Sequence, residues 1–101
     1  MKTEEVTAKL AIFSHRGNTI PSRMWGGIAR YAAHGILPGG FLRCIIQNDL
    51  RGAVQEADDE NVHLLAAYVS FFHNELPAPC WGSNEKMRLW HESFKEIASD
   101  T

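Results

Sequence analysis

The stretch that decides the fold is residues 58–76, DDENVHLLAAYVSFFHNEL. Asp58 suits the N-cap of a helix, because its side chain can accept a hydrogen bond from a free backbone N–H group of the first turn. The two residues after it are also acidic, and the helix dipole favours negative charge at that end. Pro77 and Pro79 follow the stretch and stop a helix there. The sequence therefore predicts one helix from Asp58 to Leu76.

The apolar residues of this helix form two adjacent rows rather than one stripe. The rows contain Val62, Leu65, Val69, Phe72 and Leu76, and Leu64, Ala67, Tyr68 and Phe71, respectively. A helix that is apolar on most of its circumference must be surrounded by other parts of the chain. We therefore predict an all-α fold, a compact bundle of about five helices around this central apolar helix.

The other helices are predicted from capping and stop signals on either side of the central helix. They cover residues 21–34, 41–48 and 50–57 and the region after Ser83. Pro21 suits the first turn of a helix, Gly35 is typical of a helix C-terminus, and Asp49 and Ser83 suit N-caps. In the last helix, the residues spaced to face the core are Met87, Trp90, Phe94 and Ile97.

The N-terminal residues give weaker signals. Residues 1–7 are polar and charged, and we expect a flexible arm there. The run AKLAIF at residues 8–13 is too short to decide between a strand, an extended segment and one helical turn.

Length, charge and composition restrict the class of protein. The chain has 101 residues, which suits a single domain over residues 1–101, and its net charge is −2, which does not suit a basic nucleic-acid binder. Two cysteines do not define a disulfide framework, no N-terminal signal segment is evident, and no apolar run approaches the length of a membrane span. We expect a cytoplasmic protein with reduced thiols and without membrane contact.

Catalytic and metal-binding patterns are not found. The five histidines and two cysteines contain no helical zinc spacing and no CxxC pair. Cys80 precedes a helix N-terminus, where a thiol can become nucleophilic, but the neighbouring Trp81 favours a buried structural cysteine. No glycine-rich phosphate loop occurs. We therefore predict that the protein is not an enzyme, that it needs no cofactor and that it holds no metal.

The clearest feature for function is a concentration of acidic residues. Glu56, Asp58, Asp59 and Glu60 lie within five residues, and Asp49 precedes them. One interpretation is a helix N-terminus with favourable charge. The other is an acidic surface that docks on a basic protein surface.

A family resemblance supplies the functional lead. Its residues are IPSRMWGGIARYAAHGILPGGFLRCIIQNDLRGAVQEAD at 20–58 and FFHNELPAPCWGS at 71–83. The order of IP, RYxxHGxxPGGFL, NDLxxA and NELPxxCWGS resembles a family of small proteins encoded in phages, prophages and mobile elements of proteobacteria. Within it, the chain is similar to an all-helical anti-CRISPR inhibitor of the type I-F surveillance complex. The similarity covers residues 20–90.

The resemblance implies inhibition by stoichiometric binding to a host protein complex, with loss of target DNA binding, in the host bacterial cytoplasm. It carries over no contact residues, so the partner-binding residues Asp49, Glu56, Asp58, Asp59 and Glu60 are predicted from charge. We expect a monomer. An alternative is a phage accessory or regulatory protein that acts through another protein partner or through DNA, for which Arg23, Arg30, Arg43 and Arg51 must share one face. A third hypothesis is an enzyme that uses Cys80.

Overall fold

The computed structural model describes residues 1–99, with the backbone alone for residues 96–99. It contains six α-helices: α1 (Thr3–Ile12), α2 (Trp25–His34), α3 (Gly40–Ile46), α4 (Leu50–Glu56), α5 (Leu65–Glu75) and α6 (Asn84–Ser99). Among these residues there is no strand, only an isolated bridge between His15 and Asn18. The predicted all-α class is confirmed, with one helix more than expected.

Residues 3–7, where we expect a flexible arm, instead form the first half of helix α1. Residues 8–12 form its second half. Glu4 and Glu5 lie in the first turn, where they are favourable. Val6 and Leu10, four residues apart, are both buried against the core. This pair is the local signal for the helix, and packing rather than propensity holds so short a helix in place.

Helix α2 ends where the sequence predicts. Gly35 adopts a left-handed conformation with φ 67°, and its N–H donates to the carbonyl of Tyr31 at 2.9 Å. The N-terminal end differs slightly from the expectation, because Ser22–Met24 form a 3₁₀ turn before the α-helix. A Cβ atom at Gly27 would lie 3.2 Å from Leu42 Cδ1, so this glycine allows α3 to pack closely.

The predicted caps of α4 and α6 are both present. Asp49 Oδ1 accepts a hydrogen bond from the N–H of Gly52 at 2.9 Å. Ser83 Oγ accepts one from the N–H of Lys86 at 3.1 Å. In α6, Met87 is buried while Trp90 and Phe94 are partly buried; the side chain of Ile97 lies outside the described residues.

The central helix is shorter than predicted. Asp58 Oδ1 accepts a hydrogen bond from the N–H of Asn61 at 2.8 Å, but the residue at the N-cap is Glu60 and not Asp58. However, Asn61–Leu64 form a 3₁₀ turn, and the α-helix begins only at Leu65.

The central helix is also not surrounded, contrary to the prediction from its two apolar rows. Tyr68, Phe71 and Phe72 are fully buried, but Val69 is 40% exposed. Ala66 and His73, on the same side as Val69, are exposed as well. The six short helices cover only part of the circumference of α5, and an open apolar face remains.

Buried polar groups join the helices at defined points. The Tyr31 hydroxyl of α2 donates to the carbonyl of Cys80 at 2.6 Å, and Trp90 Nε1 of α6 donates to the carbonyl of Tyr31 at 3.1 Å. The Tyr68 hydroxyl donates to Asn61 Oδ1 at 2.6 Å. These bonds fix α2, α5 and α6 around the core. None of the described helices is long and apolar enough to cross a membrane.

Candidate protein-binding surface

The acidic residues predicted to bind a partner are all exposed. We call them the acidic surface: Asp49, Glu56, Asp58, Asp59 and Glu60. Glu56 is the last residue of α4, and the three acids at 58–60 lie in the connection that leads to the 3₁₀ turn. Asp49 precedes α4 and is about 10 Å from Glu56 along the helix axis, from the rise per residue. The structure therefore gives a dense cluster of four acids and one more distant acid.

A cation from the same chain lies against this cluster. Arg23 Nη2 is 2.8 Å from Asp58 Oδ2 and 2.9 Å from Glu60 Oε1, and the side chains concerned are about half exposed. The hydrogen bonds to Glu60 and Asp58 raise the pKa of Arg23. Arg23 thus offsets part of the negative charge, a contact that the sequence does not predict because 35 residues separate Arg23 from Asp58.

The carboxylates differ in the contacts that they make with other groups of the chain. The N–H of Asn61 and then Arg23 hold the pKa of Asp58 below its usual range. Its ionised form therefore supports the fold above the ordinary carboxyl pKa, and this contribution is lost as the pH falls through the lowered pKa. Asp49 serves as the cap of α4. In contrast, Glu56 and Asp59 form no side-chain ion pair with any described residue, so their charges are available to a partner.

The arginines required by the DNA-binding alternative are divided between different roles. Arg23 is occupied by two carboxylates, and Arg43 Nε donates to the carbonyl of Pro38 at 2.9 Å. Arg30 lies on α2 and Arg51 on α4, in the turn that follows Asp49. The structure offers no observation that favours this alternative over the acidic surface.

Cys80 has the character of a buried structural cysteine. Its side chain is inaccessible, and burial raises the pKa of its thiol to about 12. His73 packs edge-on to Trp81, with ring centroids 6.2 Å apart. Within residues 1–95, no three side chains of the His, Cys, Asp and Glu types are arranged to hold a metal ion.

We expect the two cysteines to differ sharply in alkylation by a thiol reagent at pH 8. Cys44 is partly exposed and should react first, although burial also raises its pKa. Cys80 should react only when the chain unfolds, because the reactive species is the thiolate. Mass spectrometry of a time course in native buffer, with a parallel course in denaturant, measures both rates. Equal rates in native buffer would contradict the burial of Cys80.

An apolar groove lies between α4 and α5, on the open face of the central helix. Leu50, Leu65 and Val69 line both of the adjoining cavities that make it up, and we call it the α4–α5 groove. Leu50 is 69% exposed and Val54 is 47% exposed, although their spacing of four suggests packing. These apolar residues can be read from the sequence, but their exposure to solvent cannot.

Comparisons of the chain with protein-family models, curated proteins and solved structures found no match.

Proposed function

We propose that the protein is a phage-encoded, non-enzymatic inhibitor that binds a host protein complex through its acidic surface. The candidate partner is the type I-F CRISPR surveillance complex, and the proposed result is loss of target DNA binding. The observation that carries the proposal is the exposure of all five predicted carboxylates, four of them within five residues. The sequence resemblance supplies the candidate partner.

The proposed mechanism is competition for a basic surface. A protein surface that binds DNA presents lysine and arginine side chains to phosphate groups. The same side chains form charge-assisted hydrogen bonds with carboxylates. Complementary charge accelerates association and orients the two proteins. Bound in this way, the inhibitor occupies the surface that DNA requires, and no catalytic residue is needed.

Glu56 and Asp59, which neither pair with a cation nor cap a helix, give the sharpest test. We expect Glu56→Lys together with Asp59→Lys to weaken binding to the purified complex by at least tenfold, on the order of 1.4 kcal/mol or more. The reason is that attraction becomes repulsion at two points of the interface. Affinity is measured by biolayer interferometry, and target DNA binding by gel shift. Asp58 and Glu60 stay unchanged, because Arg23 and the N–H of Asn61 depend on them.

The control variant is Glu5→Lys together with Glu85→Lys. It makes the same change in net charge at two exposed acids on α1 and α6, and we expect it to retain binding. Equal weakening by both variants would indicate a general charge effect and would contradict the acidic surface. Absence of binding by the unsubstituted protein would contradict the proposed partner. Binding with undisturbed DNA recognition would contradict inhibition.

A further inference from the structure

The sulfur atom of Met24 lies against two nitrogen donors. Arg23 Nη1 is 3.5 Å from it and Asn61 Nδ2 is 3.8 Å from it, and both donate toward the sulfur. A thioether sulfur is only a weak acceptor. Two donors are therefore directed at an atom that can accept little from either of them.

The side-chain amide of Asn61 is fixed in place and almost fully buried. Asn61 is 2% exposed, and its Oδ1 accepts a hydrogen bond from the Tyr68 hydroxyl at 2.6 Å. This bond orients the amide so that Nδ2 points toward Met24. A buried N–H group needs an acceptor, because it has lost its contact with water. The sulfur of Met24 meets this need only weakly.

We propose that Met24 is a site of reversible oxidation to methionine sulfoxide, and that Arg23 and Asn61 hold the sulfoxide oxygen. Oxidation turns the thioether into a polar group. Its oxygen is bonded to the sulfur, so it lies within hydrogen-bonding reach of donors that are already 3.5 and 3.8 Å from that sulfur. The modified side chain thus supplies the strong acceptor that the two donors lack.

The reaction needs a peroxide as the oxidant and access to the sulfur. Met24 is partly exposed, so hydrogen peroxide can reach it. A sulfur lone pair attacks one peroxide oxygen, and the O–O bond breaks as the S–O bond forms. The proton on the transferred oxygen passes to the departing hydroxide, which leaves as water. A methionine sulfoxide reductase restores the thioether, with two thiols oxidised to a disulfide and the oxygen released as water.

The expected effect of this oxidation on stability differs from the usual one. A sulfoxide normally disrupts packing, because it places a polar group among apolar side chains. At Met24 the same group gains two hydrogen bonds. Arg23 is also held by Asp58 and Glu60 through Nη2, so its guanidinium is already in position. The inference holds whichever protein the acidic surface binds.

Treatment of the full chain with hydrogen peroxide, followed by mass spectrometry of its peptides, tests the site. In native buffer we expect Met1, which is 46% exposed, to react first and Met24 second. Met87 is 6% exposed and should react only when the chain unfolds. A reductase should then return Met24 to the thioether. A Met24 that stays unmodified after Met1 is fully oxidised would overturn the proposal.

Melting temperatures before and after oxidation, measured by circular dichroism, test the role of the donors. We expect the melting temperature of the unsubstituted protein to hold or rise. In Arg23→Ala one donor is lost, and oxidation should lower the melting temperature by a few degrees, as the loss of one hydrogen bond does in a domain of this size. The control is Met24→Leu, in which only Met1 is accessible to the oxidant, and its melting temperature should not change. An equal change in the unsubstituted protein and Arg23→Ala would overturn the proposed contacts.

A substitution tests the acceptor at Asn61 without any oxidant. Met24→Gln places an amide oxygen, a strong acceptor, near the sulfur position, whereas Met24→Leu leaves no acceptor there. We expect Met24→Gln to melt at the same temperature as Met24→Leu or higher, although leucine is the more apolar residue. A lower melting temperature for Met24→Gln would show that the buried amide of Asn61 does not need an acceptor, and it would overturn the proposal.

Discussion

Replacing Phe71 with alanine should lower the free energy of unfolding by about 3–5 kcal/mol, which is the usual cost of truncating a buried phenylalanine. Phe71 is completely buried on α5. Its ring packs edge-on against Phe13, with centroids 5.2 Å apart, and against Phe72, with centroids 6.3 Å apart. The substitution removes both aromatic contacts and leaves a cavity that short helices cannot close without losing other contacts. Because small domains have only about 5–15 kcal/mol of stability, this loss is a large part of the total.

Urea denaturation followed by circular dichroism measures this effect. The matched control is Leu89→Ala, which also truncates an apolar side chain within a helix but at an exposed position. We expect the control to change the stability by about 0.5 kcal/mol or less. A loss below about 1 kcal/mol for Phe71→Ala would mean that the ring is not packed as described.

Replacing Gly35 with alanine should lower the free energy of unfolding by about 2–4 kcal/mol. Two causes combine at this residue. Its φ of 67° is left-handed, which costs a residue with a Cβ atom about 1–2 kcal/mol. The new Cβ would also overlap with the ring of Phe94 on α6, and overpacking typically costs about 1–3 kcal/mol.

Two other glycines separate these causes. Gly17 has φ 83° but no atom within 4 Å of an added Cβ, so Gly17→Ala should show the conformational cost alone. Gly39 has φ −71° and an equally open surrounding, so Gly39→Ala should have little effect. The expected order of destabilisation is Gly35, then Gly17, then Gly39. A result in which Gly35→Ala and Gly17→Ala cost the same would show that Phe94 moves aside freely.

Features that depend on neighbouring residues could be predicted from the sequence. The end of α2 at Gly35 rests on the backbone conformation of one residue, and the caps at Asp49 and Ser83 each rest on one side chain and a backbone N–H three residues away. Helix α1 differs from the sequence prediction, although Val6 and Leu10 carry a local signal, because these two residues alone are buried in a segment that otherwise looks polar and charged. A short helix of this kind is held by packing, which a polar sequence does not indicate.

Features that depend on distant parts of the chain could not be predicted. Val69 and Phe72 belong to the same apolar row, yet only Phe72 is buried. Which side of α5 remains open is decided by where the other helices pack, and no residue within α5 carries that information. In the acidic surface, the exposure of the carboxylates follows from their charge. The contact with Arg23 depends on how the segment before α2 lies beside the segment after α4.

The ion pairs of Arg23 with Asp58 and Glu60 have a consequence for selectivity. Any protein that docks on these two carboxylates must exchange places with a guanidinium group that is already bound there at 2.8 and 2.9 Å. An isolated lysine, with its compact and strongly hydrated ammonium group, gains little by this exchange, whereas several positioned arginines can match the geometry that is lost. Arg23 thus competes with a partner for both carboxylates. A partner surface with few or mobile basic side chains therefore binds them weakly.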